Sequence, residues 1–219
     1  MWKKVYGWLD ERLDFNSLYQ GLLDRPEPEG NWWNTLGSAS LFLFVMQGLT
    51  GIFLTVYYTP SPDHAYDSIR YIMNDVAFGW MIRGIHHWGA SLMVLVVFIH
   101  MVRVFVTASF KYPRELTWLI GVGLLLLTVG MGFTGYLLPW HQQAYWATTV
   151  GTRIAGSVPL IGDFILKALR GGPDLSALTL QRFFSAHIWM LPGLLAALIG
   201  AHLFLIIKHG ESNFPDEED

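Results

Sequence analysis

Residues 82–105, IRGIHHWGASLMVLVVFIHMVRVF, and residues 183–207, FFSAHIWMLPGLLAALIGAHLFLII, decide the fold. The first stretch carries His86 and His100 on one apolar helix, and the second carries His187 and His202 on another. Fourteen residues separate the first pair. That interval is about 21 Å along a helix axis and returns to within about 40° of the starting face. The second pair, fifteen apart, spans about 22 Å and falls broadly on one face. Each stretch is long enough to cross a hydrocarbon core about 30 Å thick, which puts the imidazoles at matching heights near its two sides. Two flat macrocycles, each held by one imidazole from either helix, account for all four histidines at once. A lone histidine in an apolar helix is ordinarily a hydrogen-bonded packing residue, but ionisable groups inside membrane spans are functional candidates, and two matched pairs favour function. A bare metal such as zinc is the weaker alternative, because its ligands converge on one point.

Composition agrees with a membrane protein. Of the 219 residues 53% are hydrophobic and only 14% charged, with ten tryptophans and a net charge of −3; the class is integral membrane, not soluble globular. Cysteine is absent, which excludes disulfides, thiolate metal sites, cysteine-held iron–sulfur clusters and thioether-linked haem in these residues. No basic stripe suggests nucleic acid, and no apolar signal segment opens the chain.

In chain order, Trp2, Val5, Tyr6, Leu9 and Leu13 recur at helical spacing among Lys3, Lys4, Asp10, Glu11 and Arg12. Residues 1–24 therefore read as a helix lying on the membrane surface, or as one packed on a partner subunit. RPEPEG (25–30) breaks it, and Trp32 and Trp33 suit the headgroup level. Four spans are expected at about 34–58, 80–105, 116–138 and 183–207, giving an all-α four-helix membrane bundle in a single domain over 1–219. A polar connection covers 59–79. A longer connection covers 139–182, with a short surface helix over 158–169. Pro192 is expected to kink the last span, and 208–219 forms an acidic tail.

Four spans bring both termini to one side. The short loop between the second and third spans shares that side and holds Lys111 and Arg114, with Arg103 just before it; the positive-inside rule makes it the cytoplasmic or equivalent side. His86 then meets His187 at the outer level and His100 meets His202 at the inner. A second pattern repeats the interval: Gly37 and Gly51 are fourteen apart on the first span, as are Gly121 and Gly135 on the third. Each level receives two glycines, whose missing side chains leave room for a flat porphyrin against the backbone. The alternative for any one of them is helix packing through small residues.

The motifs RGIHHW (83–88), HMVR (100–103), KYPRELTW (111–118), TGYLLPW (134–140) and RFFSAH (182–187) resemble cytochrome b of the quinol–cytochrome c (or plastocyanin) oxidoreductases. The resemblance runs from the amphipathic start to Gly210. Chain length and the fifteen-residue interval from His187 to His202 look like its short split form, cytochrome b6.

The resemblance implies that His86 and His187 ligate the iron of an outer, low-potential haem b, and His100 and His202 that of an inner, higher-potential one. It implies quinol oxidation on the outer side, with a wall at Gly135, Tyr136, Pro139, Trp140 and Tyr145. Arg83 is expected near the outer propionates, and Arg103 and Arg114 near the inner ones; positive-side anchoring is their plainer reading. The implied partners are a subunit IV-like chain with the remaining helices, a Rieske iron–sulfur protein and a c-type cytochrome, in a dimeric complex of a bacterial inner or thylakoid-type membrane. Two departures stand out. Thr35 occupies the position where the short form carries a haem-tethering cysteine, so covalent attachment is excluded there and a non-covalent third haem stays open. The family's Pro-Glu-Trp-Tyr segment, whose glutamate takes a quinol proton, is absent from the sequence. Two other functions compete: a di-haem anchor of another quinone-linked dehydrogenase, which does not call for the 139–140 loop or the glycine pairs, and a colourless structural or assembly subunit.

Overall fold

The computed structural model describes Gly7 and residues 32–210. Apart from Gly7, the expected helix over 1–24 lies outside the described residues, as does 211–219 of the expected tail.

Four helices are long and apolar enough to cross a membrane: Trp32–Tyr57, Gly79–Val106, Glu115–Leu137 and Ala177–His209. The first opens with a 3-10 turn, Trp32–Thr35, and continues as α1, Leu36–Tyr57. Helix α3, Gly79–Val106, is the second span and α4, Glu115–Leu137, the third. The fourth comprises α7, Ala177–Ser185, a π turn, Ala186–Met190, and α8, Leu191–His209. Phe42, Val45, Leu49, Ile52 and Val56 recur at three- and four-residue spacing along α1 and stay exposed, as an apolar face does when lipid or another membrane chain covers it.

The fourth span departs from expectation at its start. It begins at Ala177, six residues before the apolar run, because Ser176 and Thr179 form a reciprocal capping box that satisfies the first free amides. Pro192 carries no N–H, so the ladder must change register ahead of it. The change is the π turn, in which the Leu191 N–H reaches back five residues to the Ala186 carbonyl.

The 59–79 and 139–182 connections both hold more helix than expected. The 59–79 connection contains α2, Ala65–Asn74, which buries Ala65 and Ile72. The 139–182 connection contains α5, Gln142–Gly156, and α6, Gly162–Arg170; the second replaces the helix expected over 158–169. These elements cap one end of the bundle over a core of Ala65, Leu137, Leu180 and Phe183. Arg170 locks the cap. It is 2% exposed and donates to Thr152 Oγ1 (2.8 Å), the Thr149 carbonyl (2.9 Å) and the Pro173 carbonyl (2.7 Å). Its own carbonyl accepts from Thr179 Oγ1 at 2.6 Å. Hydrogen bonds from a charged donor contribute about 1.5–3 kcal/mol each, so one side chain ties α5, α6 and the start of α7 together.

Span α1 packs on α3, α4 packs on α8, and α3 touches α4. At Gly89 a Cβ would meet the ends of the Gln47 and Met46 side chains of α1. The two histidine-bearing spans, α3 and α8, have no extensive packing on each other. They face one another across an interval that the imidazoles enter.

Candidate functional site

The structure brings His86 and His187 together. The rings of His86 and His187 lie 6.3 Å apart, centroid to centroid, with planes 77° to one another. His86 Nδ1 lies 2.9 Å from Thr50 Oγ1, and His187 Nδ1 lies 3.1 Å from Thr134 Oγ1. Each hydroxyl donates within its own helix, Thr50 to the Met46 carbonyl at 2.7 Å and Thr134 to the Gly130 carbonyl at 2.9 Å. Its lone pairs are thereby left to accept an Nδ1–H, and Nε2 stays bare as the free nitrogen of each ring. At the other level the His100 ring edge lies against Gly37 and the His202 ring edge against Gly121. Their Nδ1 atoms are buried without a hydrogen-bond partner.

The four spaced glycines each face one of these rings. A Cβ would stand 3.4 Å from His100 Cε1 at Gly37 and 3.2 Å from His86 Cε1 at Gly51. The corresponding values are 3.5 Å from His202 Cε1 at Gly121 and 2.7 Å from His187 Cε1 at Gly135. Besides the room expected for a macrocycle against the backbone, the glycines admit the imidazole edge: the first span seats the rings of α3, and the third seats the ring of the fourth span's π turn and that of α8.

This arrangement fits an axially bound macrocycle. An imidazole nitrogen sits about 2.0–2.1 Å from a first-row metal such as zinc, so two such bonds with half a ring on either side fill about the observed centroid separation. Among the described residues no three or more His, Cys, Asp or Glu converge as a metal cluster. The donors come two by two, which suits a metal whose other positions are filled by its own ring.

Beside the His86–His187 pair the loop after α4 is tightly determined. Trp140 has φ 51°, a left-handed conformation unusual for a bulky residue. It is held there by its N–H on the Leu137 carbonyl at 2.9 Å and by its ring edge on Tyr145, centroids 5.7 Å apart. His141 caps α5, its Nδ1 accepting from the Ala144 N–H at 3.0 Å. Tyr58 OH donates to the Leu138 carbonyl at 2.6 Å; burial pushes its phenol up from the ordinary range, so it stays a donor. Gly135, Tyr136, Pro139, Trp140 and Tyr145 thus run along the end of α4 and the turn into α5. Alongside, a groove of about 850 Å³ is lined by Thr134, Gln181, Arg182, Phe183 and Trp189, among others.

The family model described as cytochrome b/b6/petB matches residues 24–210. The chain belongs to the cytochrome b/b6 family. It is 43% identical over 221 residues to the menaquinol:cytochrome c reductase cytochrome b subunit of Bacillus subtilis, covering 97% of this chain and 99% of that one. It is 44% identical over 210 residues to cytochrome b6 of Gloeobacter violaceus, covering 95% and 98%. Among solved structures it is similar to a chain of a hyperthermophilic respiratory Complex III, with a TM-score of 0.87 and 32% identity over 97% of this chain. It spans 58% of the length of that Complex III chain. Membership of the cytochrome b/b6 family, with four apolar spans, makes this an integral membrane protein, and the family implies haem b and interaction with quinol.

Other residues singled out in this cytochrome b/b6 chain have local work. Arg114 donates to the carbonyls of His209 and Gly210, both at 3.3 Å, and so caps the end of α8. Arg103 bonds Asn34 Oδ1, and an Arg83 guanidinium nitrogen lies 3.6 Å from Met73 Sδ. Thr35 Oγ1 donates to the Trp32 carbonyl at 2.7 Å. His87 is exposed, its ring edge on Trp88. Thr50 and Thr134 were missed in the sequence, although each immediately precedes a spaced glycine.

Proposed function

We propose that the chain is the di-haem cytochrome b subunit of a bc-type quinol oxidoreductase, which oxidises quinol at an outer site and returns electrons to quinone at an inner one. The carrying observation is the 6.3 Å pairing of His86 with His187, each ring seated on a glycine. In this reading His86 and His187 hold the outer haem b, and His100 and His202 the inner. When bound, the two haems supply one-electron carriage between the sides of the membrane.

The protein's own residues set the terms of that carriage. His86 with His187, and His100 with His202, would hold each haem through two imidazoles, so that the iron would carry electrons and would not bind oxygen or substrate. The glycines let the rings approach the helix backbones without displacing α1 or α4. Trp140 and Tyr145 give the outer site a stiff aromatic wall. The proton-accepting glutamate of the family's Pro-Glu-Trp-Tyr segment must come from a partner, alongside a Rieske iron–sulfur protein and a c-type cytochrome. Arg83 serves the outer haem's propionates, and Arg103 and Arg114 the inner haem's. Of the basic residues of the long connection, Arg170 is buried in the cap, Lys167 pairs with Asp163 and Arg182 bonds the Ala168 carbonyl, whereas Arg153 is exposed. The reading of cytoplasmic termini rests on Lys111 and Arg114 in the loop between the second and third spans.

The test is oxidant-induced reduction in the purified complex. With quinol present and inner-side reoxidation blocked by an inhibitor, a ferricyanide pulse is expected to raise reduced haem b transiently. Oxidation alone, under confirmed quinol turnover, rejects the bifurcating role.

A further inference from the structure

We propose that Thr50 and Thr134 are positioning residues that lower the potential of the outer haem relative to the inner, by accepting the Nδ1–H of His86 and of His187. This rests on the ligand assignment above and deepens it.

The two levels are alike except at one position. Every one of the four rings faces a glycine. What separates the levels is the residue before each glycine: Thr50 and Thr134 at the outer level, Leu36 and Ile120 at the inner. Both outer rings therefore have a hydroxyl at 2.9 and 3.1 Å, while both inner Nδ1 atoms are buried without a partner.

The consequence follows from imidazole chemistry. A hydroxyl that already donates to its own helix offers only lone pairs, so it pins the ring as the Nδ1–H tautomer. Engaging that N–H makes Nε2 more basic and a stronger donor to iron. A stronger donor favours the more positive, oxidised metal and so lowers its potential. With both axial ligands of the outer haem engaged and neither of the inner, the difference has the sign needed for electrons to run inward.

The test is a redox titration of the b haems in the intact complex bearing Thr50→Val, Thr134→Val or both. Each single change is expected to shift the outer reduction equilibrium toward the reduced form by up to about tenfold, about 59 mV for one electron. The double change is expected to shift it further and the inner potential to stay put. Thr→Ser at either position restores the parental value, because the hydroxyl returns without the methyl. Ile120→Thr provides the converse, with the inner potential expected to fall. Full haem content with an unmoved outer potential in both valine variants overturns the proposal. If the valine variants do not assemble, an unmoved inner potential in Ile120→Thr overturns it. A parent complex with no outer haem sinks the ligand assignment instead, so the two failures are distinct.

Discussion

On the proposed di-haem assignment, replacing His187 with leucine is expected to remove the haem held with His86 and leave the other, halving the haem b content of the purified complex from two per chain to one. Leucine supplies comparable apolar bulk, so α4 and the fourth span keep their contact while one of two coordinate bonds disappears. The His86 ring then has no partner across the gap. The inner pair, about 21 Å away along the spans, shares none of these contacts. Pyridine haemochrome quantitation reads the loss directly, and redox titration shows which wave has gone. His87→Leu is the control: it is one residue from a proposed ligand, yet exposed and turned onto Trp88, and both haems are expected to remain. Equal haem content in the two variants contradicts the assignment.

The glycines make a graded prediction. At Gly135 an added Cβ stands 2.7 Å from His187 Cε1 and 3.2 Å from its Nε2, closer than such atoms approach. The ring has little room to yield, since its Nδ1 is held by Thr134 and its backbone sits in the π turn. Gly135→Ala is therefore expected to displace the imidazole and lose most of the outer haem. At Gly121 the same change meets His202 Cε1 at 3.5 Å, an ordinary contact. There alanine's better helix propensity, about 1 kcal/mol over glycine, makes it neutral or mildly stabilising with both haems kept. Visible spectra of the two purified variants check this; equal loss in both would show that the glycines serve the macrocycle, not the ring edge.

The bundle was legible because its signals are long and one-sided. The first three spans begin and end within two residues of their expected limits, since charge-free apolar runs of that length allow little else. The four histidines and four glycines were legible because one interval repeats on separate helices. The outer cap was harder to read. Helix α5 turns Ala144, Thr148, Thr149 and Thr152 inward, and a threonine-rich face does not register as an apolar stripe. Two of its hydroxyls are absorbed by their own helix, Thr149 on the Tyr145 carbonyl and Thr152 on the Thr148 carbonyl. The early start of α7 escaped because Gln181 and Arg182 lie before the apolar run, although the Ser176–Thr179 box marks it. The π turn depends on a missing N–H at Pro192, which in the sequence reads only as a kink. Thr50 and Thr134 lie beside the glycines in plain view, but only their geometry shows that their hydroxyls meet the rings.

The measurement closest to the central claim is a haem count with ligation-state spectroscopy on the purified wild-type complex. Two haem b per chain, both low-spin with two imidazole ligands and titrating as two one-electron waves, is the result expected of paired imidazoles at two levels. One haem per chain, or a high-spin iron with an open axial position, contradicts it.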